Sequence, residues 1–552
     1  MNLPSPAIVP ERGAQRLPRL ALLLFCAAYV LPGLFGRDPW RNADLTAYGF
    51  MAQIASGHSP WLHPMMGGLS ADGGALPYWL GAIAIKALPF LDPALAARMP
   101  FGLMLIGVLT LVWYSTFHLA RTDAAQPVAF AFGGEAHAAD YARALADGAV
   151  LALVASLGLL RLGHETTPEL VQLLAMSLFV YGMAALPFKP LKGRLSLMLA
   201  LPMLAASAAP ALAVGLGTLG CWILWRSSYD PARESRPWLA LATLISVACG
   251  WALHTWAWRV TAHLDTGLPV RVASLLVWFG WPAWPLGLWT LWRWRRYWTR
   301  RHVSVPLLAF GITLVSCIAL DGSDRALMLG LPALAVLASF ALPTFSRSGS
   351  AMVDWFSVFF FTSAALFIWL YYVAIQTGWP PQLLVNVKDL LIGYQPGFNL
   401  FELVLALVGT SAWMALVRWR TARHQHALWK SLVLPAGGVA LCWLLAVTLM
   451  LPEVDFALSN RSLVQKLRQH IPSEARCIAA PGQALSTIAS LEVDGHWRVD
   501  AVTPLQQSSC DFALQLSPDG VRPQVPEFWQ WVAAVKGPRD RLQANQLYRR
   551  IP

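Results

Sequence analysis

Residues 37–99 read RDPWRNADLTAYGFMAQIASGHSPWLHPMMGGLSADGGALPYWLGAIAIKALPFLDPALAARM. The stretch lies between two long apolar segments, but it carries acids, cations and tryptophans throughout. A long loop fixed between two membrane helices, with charges and aromatic side chains at the water boundary, is a typical place for the site of a membrane enzyme. We therefore expect the rest of the chain to be a scaffold for this loop.

The composition is that of a membrane protein. Of 552 residues, 57% are hydrophobic and 13% are charged, and the mean hydropathy is +0.51. A soluble protein has about 25% charged residues. The apolar residues occur in runs of roughly 18–25, the length that crosses a bilayer. The net charge of +12 arises from cations in short loops between these runs, which indicates topology and not nucleic-acid binding. These features predict an all-α polytopic membrane protein.

The first apolar run, 20–34, follows three arginines and lacks a cleavage site, so we expect a retained anchor with a cytoplasmic N-terminus. Further apolar runs lie at 100–119, 148–163, 169–187, 195–226, 237–258, 270–292, 303–320, 326–344, 351–376, 398–417 and 431–451. Basic loops alternate with less basic ones. This pattern predicts a transmembrane domain at 1–451 with about thirteen spans and a periplasmic domain at 452–552.

Two topologies are open in the first half of the chain. In one, 121–147 is a cytoplasmic loop and 195–226 is a helical hairpin. In the other, residues 121–146 cross the membrane and 195–226 contains one crossing after a half-helix. Both topologies give the same number of spans. They differ in which side of the membrane Asp147 and the cations of 189–194 face.

From residue 453 onward the composition becomes that of a soluble domain. Apolar spacing predicts a short amphipathic helix at 462–470 and a second helix at 484–491. Three segments read as strands, namely 476–480, 496–502 and 510–516. We expect a small α/β domain on the outer face. Cys477 and Cys510 start two of the strands in an oxidising compartment, so a disulfide and two free thiols are the open alternatives.

Residues 42–56 predict a helix within the first loop. Its polar side is a stripe formed by Thr46, Gly49, Gln53 and Ser56, which is typical of a helix lying in the bilayer interface. Asp44 in the first turn has an ordinary structural role, because a carboxylate there complements the helix dipole. If Asn42 caps the helix, the Asp44 carboxylate is free for chemistry.

Several motifs follow one another in this loop. They are Asp44 with Tyr48, then Trp61 and Pro64, then Leu76-Pro77-Tyr78-Trp79, and then Ala96-Ala97-Arg98-Met99-Pro100. Their order resembles the first outer loop of membrane glycosyltransferases of the C-type fold, in particular family 39, which includes lipid A aminoarabinose transferases and bacterial protein mannosyltransferases. The resemblance implies transfer of a sugar from a polyprenyl-phosphate carrier to a lipid, lipid A-like or other cell-envelope acceptor, on the periplasmic side of the bacterial inner membrane.

The resemblance also implies site residues. Asp44 matches the leading acid of the family, and 142–147, ARALAD, resembles its second acidic site, so Asp44 and Asp147 are the expected catalytic acids. Residues 189–193, KPLKG, resemble the basic turn of the family. Because the sugar leaves a phosphate anion behind, the site needs cations. The candidates are Arg98, Lys189, Lys192 and Arg194. Since both acids must share one compartment, we expect Asp147 and Lys192 on the same side as Asp44.

A second outer segment, 379–399, has leucines at helical spacing. It predicts an interfacial helix over the site, with Lys388 and Tyr394 near the carrier phosphate. The alternative is a plain amphipathic connector.

The chain departs from the family at Leu45 and Ala47, where an acid and an arginine are usual, and at Gly73-Gly74-Ala75, where a lysine is usual. A catalytically inactive relative is therefore a rival interpretation. A lipid or sugar transporter or flippase is another, and a mid-membrane pair of acid and base would favour it. No His- or Cys-rich metal motif is present, although the resemblance leaves a divalent metal open. The expected partners are the carrier-linked sugar, a lipid or glycan acceptor and membrane lipids, without nucleic acid.

Overall fold

The computed structural model describes residues 5–40, 42–72, 74–256, 261, 267–390, 394–421, 427–472, 474–537 and 542–551. For residues 347 and 386–390 it describes the backbone alone. The described residues form a large helical bundle followed by a small sheet.

The helices are numbered in chain order. Those of the bundle are α1 (Arg19–Val30), α2 (Ala43–Ser56), α3 (Ala75–Ala87), α4 (Pro93–Ala120), α5 (Ala138–Val154), α6 (Leu157–Leu162), α7 (Pro168–Ala185), α8 (Pro190–Ala206), α9 (Pro210–Trp225), α10 (Asp230–Arg233), α11 (Arg236–Ala252), α12 (Leu268–Phe279), α13 (Ala283–Arg293), α14 (Arg301–Ala319), α15 (Asp324–Met328), α16 (Leu331–Ser339), α17 (Arg347–Thr377), α18 (Pro381–Leu390), α19 (Leu400–Thr421) and α20 (Lys430–Leu449). Three more follow, α21 (Leu451–Leu458), α22 (Arg461–Arg468) and α23 (Leu485–Val493).

Six of these helices are long and apolar enough to cross a bilayer, namely α4, α7, α14, α17, α19 and α20. The pair α12 and α13, bent by 99°, is a seventh if it forms one span. Every predicted apolar run contains at least one helix, and 195–226 contains two, α8 and α9. The predicted all-α membrane fold is confirmed, and the number of about thirteen spans stays a prediction.

Helix α4 defines the two ends of the bundle. It begins at Pro93, and the Asp92 carboxylate caps it by accepting hydrogen bonds from two backbone N–H groups. Its 28 residues span about 42 Å. We call the end that contains Arg98, Arg37 and Asp44 the first-loop end. The other end, which contains His118 and residues 5–17, is the N-terminal end.

The segment 121–137 is a loop at the N-terminal end. Val128 N donates to Ala7 O at 2.9 Å, and Ala136 N donates to Val9 O at 3.0 Å. Residues 121–137 therefore form no membrane-crossing helix, and of the two alternatives the structure has the loop, which ends where α5 begins at Ala138. Hydropathy could not decide this point, because the loop is Ala-rich and its backbone is covered by the N-terminal segment. Helices α8 and α9 form the hairpin of the same alternative. The side of the membrane on which this loop lies stays a prediction.

Strands β1 (Met65–Met66) and β2 (Leu69–Ser70) form a hairpin in the first loop. The C-terminal sheet has five strands, namely β3 (Ile478–Ala479), β4 (Val499–Asp500), β5 (Phe512–Pro518), β6 (Trp529–Val535) and β7 (Gln543–Arg550). They lie in the order β4-β3-β5-β7-β6. Strand β3 pairs in parallel with β4 and β5, and β7 pairs antiparallel with β5 and β6. The predicted helices and first three strands are confirmed. The Cys477–Cys510 disulfide is present, with 4.9 Å between its Cα atoms.

The sheet domain rests on α2 through α23. A Cβ added to Gly49 would lie 2.6 Å from the Ala489 Cβ, so glycine permits this close approach. Gly67 N donates to Glu492 Oε1 at 3.1 Å, and Ala501 N donates to Gly67 O at 2.9 Å. Helix α2 is therefore covered by the C-terminal domain, whereas the sequence predicted a helix lying open in the bilayer interface.

Candidate active site

Asp44 has four hydrogen bonds and is 2% exposed. Its Oδ1 accepts from the backbone N and the Oγ1 of Thr166, both at 2.7 Å. Its Oδ2 accepts from Arg37 Nη2 and from Trp40 N, both at 3.1 Å. The Asn42 side chain makes no capping hydrogen bond. The expectation that Asn42 leaves the Asp44 carboxylate free is therefore wrong, because Asp44 is bonded to a segment more than a hundred residues away.

Arg37 joins the first loop to the segment between α6 and α7. Its Nη2 donates to His164 O at 2.8 Å as well as to Asp44. The guanidinium lies 4.4 Å from the centroid of the Trp40 ring, within the range of a cation–π contact. Helix α7 begins directly after this segment at Pro168, and the short turn brings Thr166 to Asp44.

Arg98 is the second buried guanidinium at this end. It donates from Nη1 to Leu34 O at 3.0 Å and from Nη2 to Arg37 O at 2.8 Å, and it has no ion pair within the described residues. Among the described residues, the Nε of Arg98 and the Nε and Nη1 of Arg37 have no hydrogen-bond partner. Buried cations with unmet donors are costly unless an anion approaches them. The pair therefore favours a negatively charged group at this position.

Glu165 adds a second buried carboxyl next to Thr166. Its Oε2 lies 2.5 Å from Arg325 Nη2, and its Oε1 lies 3.4 Å from Arg161 Nε. Arg325 also reaches Glu169, at 3.5 Å. The site thus combines residues from the first loop, α4, the α6–α7 segment and α15.

The two carboxyls have opposite pKa shifts. Burial alone would raise the pKa of Asp44, but the charges of Arg37 and Arg98 and the hydrogen bonds from Thr166 hold it below its ordinary value. Burial raises the pKa of Glu165, and the charge of Asp44 adds to the rise, against the effect of Arg325. One carboxyl is held ionised while its neighbour takes up a proton more readily. Such a split is the usual mark of a division of roles between two acids.

The C-terminal part of the chain covers the segment of the first loop that contains Asp38 and Trp40. Asp455 on α21 accepts from Trp40 Nε1 at 2.7 Å and from Asp38 N at 3.1 Å. Arg461 on α22 forms an ion pair with Asp38 at 3.0 Å. These contacts fix the segment that presents Arg37 to Asp44.

Of the predicted catalytic acids, Asp147 is far from Asp44. It accepts from Leu17 N at 3.0 Å and from Trp113 Nε1 at 2.8 Å. Trp113 follows Arg98 by 15 residues, which is about 22 Å along α4. Asp147 therefore anchors the start of α1 near the N-terminal end, and the expected site shared with Asp44 is wrong.

The predicted basic turn also lies at the N-terminal end. Phe188, next to Lys189, stacks against His118 with ring centroids 5.8 Å apart. Arg194 donates to Ser235 Oγ at 3.0 Å, and Lys192 is exposed on the same turn of α8. The expectation that Lys189, Lys192 and Arg194 approach Asp44 is wrong, because α4 separates the two ends. Among the predicted cations, only Arg98 joins Asp44 within the described side chains.

The predicted helix in 379–399 is present as α18. The Lys388 side chain lies outside the described atoms. Tyr394 has its ring 5.4 Å from Phe456 on α21, the helix whose Asp455 holds Trp40. Tyr394 is thus linked to the first-loop end through α21, and its contact with substrate stays a prediction.

Four residues of the cluster were not predicted from the sequence, namely Arg37, Glu165, Thr166 and Arg325. One signal was available: HETT at 164–167 is a polar run between two apolar segments, directly before the proline that starts α7. Within the described residues, no three His, Cys, Asp or Glu side chains are grouped closely enough to hold a metal ion.

The acid–base pair Asp354–Arg420 bears on the transporter interpretation. Asp354 is near the start of α17, and Arg420 is next to the last residue of α19. The pair therefore lies close to the helix ends, where topology-determining charges are common, and does not favour a transporter.

No family model matches the sequence. No curated protein matches it either. Solved structures do match. ArnT from Cupriavidus metallidurans bound to undecaprenyl phosphate aligns with a TM-score of 0.57 and 14% identity, covering 96% of this chain and 98% of that chain. The apo state of the same protein aligns with a TM-score of 0.58 and 14% identity, covering 96% of this chain and 97% of that chain. AglB from Archaeoglobus fulgidus, in complex with an inhibitory peptide and a dolichol-phosphate, aligns with a TM-score of 0.43 and 11% identity, covering 87% of this chain and 63% of that chain.

The chain therefore has the fold of the C-type membrane glycosyltransferases, with the small C-terminal sheet domain included. Within that class, one protein whose solved structures resemble this chain over nearly its whole length is ArnT from Cupriavidus metallidurans.

Proposed function

We propose that this protein is an integral-membrane glycosyltransferase that moves a sugar from a polyprenyl-phosphate carrier to a lipid, such as a lipid A-like molecule, or to another cell-envelope acceptor. The observation that carries the proposal is the buried Arg37–Arg98 pair with unmet donors beside two carboxyls of opposite pKa shift. The fold shared with ArnT bound to undecaprenyl phosphate supports it.

A crevice of about 10 Å³ between α1 and α4, room for about one water molecule, marks the proposed approach of the carrier phosphate. Its walls include Val30 and Leu34 on one side, Phe101 and Leu105 on the other, and Arg98 at the polar end. In this proposal the phosphate approaches the unmet donors of Arg98 and Arg37. Charge-assisted hydrogen bonds to phosphate oxygens are the strong ones.

The proposed chemistry follows from charge. The bond between the sugar carbon and the phosphate oxygen breaks, and the two arginines stabilise the phosphate anion that leaves. The acceptor oxygen bonds to the same carbon, and Glu165, whose pKa is raised, takes the acceptor proton. If the acceptor is already a phosphate, Glu165 orients it instead. Asp44 is fully hydrogen-bonded, so its contribution is to hold Arg37 and the 164–166 segment in position.

The departures at Leu45 and Ala47 are compatible with activity. Both side chains are buried in the core. Arg37 supplies the guanidinium for Asp44 that Ala47 cannot supply, and Glu165 supplies a second carboxyl. The interpretation as an active enzyme therefore accounts for more of the residues in this cluster than the interpretation as an inactive relative does.

For the orientation, we propose that the first-loop end faces the periplasm of a bacterial inner membrane and that the N-terminus is cytoplasmic. The N-terminal end carries the arginine-rich loops around 226–236 and 293–301, as the positive-inside rule requires of the cytoplasmic side. In the same proposal, 1–451 is the transmembrane domain and 452–552 is the periplasmic domain.

The test compares Glu165→Gln with Glu169→Gln. Both acids reach Arg325, but Glu165 is 5% exposed and lies next to Thr166, whereas Glu169 is 27% exposed. We expect Glu165→Gln to reduce transfer by roughly 10²–10⁴-fold with undecaprenyl phosphate binding retained, and Glu169→Gln to leave both unchanged. Mass spectrometry of glycolipids, with and without the protein, identifies the product, and native mass spectrometry measures carrier binding. An unaltered glycolipid profile in cells lacking the protein would contradict the proposal.

A further inference from the structure

A cavity of about 710 Å³ opens at the N-terminal end, away from the candidate active site. Its walls come from the loop after α4, the turn between α9 and α10, and the start of α14. Four arginines line it, namely Arg226, Arg296, Arg300 and Arg301. About 30 Å of α4 separates the level of Arg98 from that of His118, so this cavity and the candidate active site do not share residues.

Arg301 is the buried member of the four, with 7% of its surface exposed. Its Nη1 donates to Ser227 Oγ at 3.3 Å, and its Nη2 donates to Met183 O. Its Nε finds no hydrogen-bond partner in the part of the chain that the structure describes, and neither does the Oγ of Ser304 one turn further along α14. Arg301 has no ion pair within the described part of the chain. A buried guanidinium bonded only to neutral oxygens retains an uncompensated charge.

The charge balance of the walls is strongly positive. Asp123 is the one acid among the described lining residues, and its Oδ2 accepts a hydrogen bond from the Tyr229 hydroxyl at 3.1 Å. Arg226, Arg296 and Arg300 are exposed, and the described residues give them no ion pair. Four guanidiniums against one carboxylate predict an anionic ligand with several acceptor oxygens.

Two tryptophans place the cavity at the membrane–water boundary. Trp222 and Trp298 line it and are half exposed, as is typical of the aromatic belt. Arg226 lies 5.0 Å from the Trp222 ring. A basic pocket between membrane helices at this depth suits a phosphate head group, and the volume is within the range of small-ligand sites.

We propose that this cavity binds a phosphate-bearing ligand, with the phosphate held at Arg301 and Arg300 and a further contact from Arg226. The same chemistry is presented by the head group of an anionic phospholipid and by a soluble phosphate ester.

The test uses the full chain in phosphatidylcholine nanodiscs, with phosphatidylglycerol and glycerol 3-phosphate as separate probes. The double variant Arg226→Gln/Arg300→Gln removes two exposed wall residues. The matched control is Arg293→Gln/Arg295→Gln, which neutralises two exposed arginines of the same region that do not line the cavity. Native mass spectrometry gives the retained probe, and thermal unfolding checks that both variants are folded.

We expect the wall variant to bind at least one probe tenfold or more weakly than wild type, and the control to bind within twofold of wild type. Retention of phosphatidylglycerol assigns the site to a lipid head group, whereas retention of glycerol 3-phosphate alone assigns it to a soluble ester. Equal binding by the two double variants, or no retention of either probe by the wild type, overturns the proposal.

Discussion

The two ends of the bundle use the same residue types in different ways. At the first-loop end, two arginines are buried beside carboxyls and closed over by α21 and α22. At the N-terminal end, the arginines line an open cavity with a single acid. In sequence both sets are cations near the ends of apolar runs. What distinguishes them is whether a distant segment covers them, and that is decided by tertiary packing.

The same comparison holds for the two buried acids. Asp44 is ion-paired with Arg37 and bonded to Thr166. Asp147 is bonded by neutral donors alone among the described residues, the Leu17 amide and the Trp113 indole. The first is part of a charged cluster, and the second is an anchor between α5, α4 and the segment that leads into α1.

The largest expected effect is the difference between the variants Asp44→Asn and Asp147→Asn. Asp44→Asn leaves the buried Arg37 unpaired, so we expect a loss of about 3–5 kcal/mol in the free energy of unfolding. Transfer should fall by roughly 10²–10⁴-fold, because Arg37 and the 164–166 segment lose their fixed position. Asp147→Asn keeps one acceptor oxygen and should cost about 1–3 kcal/mol without lowering transfer. Denaturation curves and glycolipid mass spectrometry measure both quantities. Equal loss of transfer in the two variants would remove the distinction between site and anchor.

A smaller effect compares cations at the two ends. Arg98→Gln removes a charged donor beside the proposed phosphate position, and we expect undecaprenyl phosphate to bind about 10–100-fold more weakly. Lys192→Gln removes an exposed cation at the opposite end and should leave the affinity unchanged. Native mass spectrometry with added undecaprenyl phosphate gives the two affinities. If Lys192→Gln weakens binding as much as Arg98→Gln does, the carrier lies elsewhere.

The smallest effect concerns the closure of the first loop. Burial, together with the charge of Asp38, raises the pKa of Asp455 to about 6. Since the folded carboxyl binds a proton more tightly than the unfolded one, its contribution to stability increases as the pH falls through 6 and decreases as the pH rises. We expect the amides of Asp38 and Trp40 to exchange a few-fold more slowly at pH 5.5 than at pH 7, after correction for intrinsic rates. Asp455→Asn should abolish this difference, and its persistence in that variant would assign it to another group.

Much of the architecture was predictable from the sequence, because apolar length and loop charge are local properties. Asp44 and Arg98 were also predictable, since both belong to motifs within one loop. The cluster around them was not, because Arg37, Glu165 and Arg325 come from three segments far apart in sequence, namely the first loop, the α6–α7 segment and α15. Their contacts depend on how α1, α7 and α15 pack.

Two errors have specific physical causes. The segment 142–147 has an acid directly before the apolar run that begins at 148, and such a local pattern does not show on which side of the membrane the acid lies. Strand β7 was missed because it carries Asn545 and Gln546, which read as surface residues. Both are buried, and the Asn545 Oδ1 accepts a hydrogen bond from Gln483. When polar side chains are paired inside a sheet, the strand does not show the alternation of apolar and polar residues by which strands are predicted.

The close contact between Gly49 and Ala489 has a consequence for biosynthesis. The helix that carries Asp44 is translated more than four hundred residues before the helix that covers it. During translation, the carboxylate–arginine cluster stands without its cover until α21, α22 and α23 have emerged and folded. A ribosome-bound or truncated chain therefore has an unfinished site. On the proposed function, each copy acquires transfer activity only after α21, α22 and α23 have been synthesised and folded.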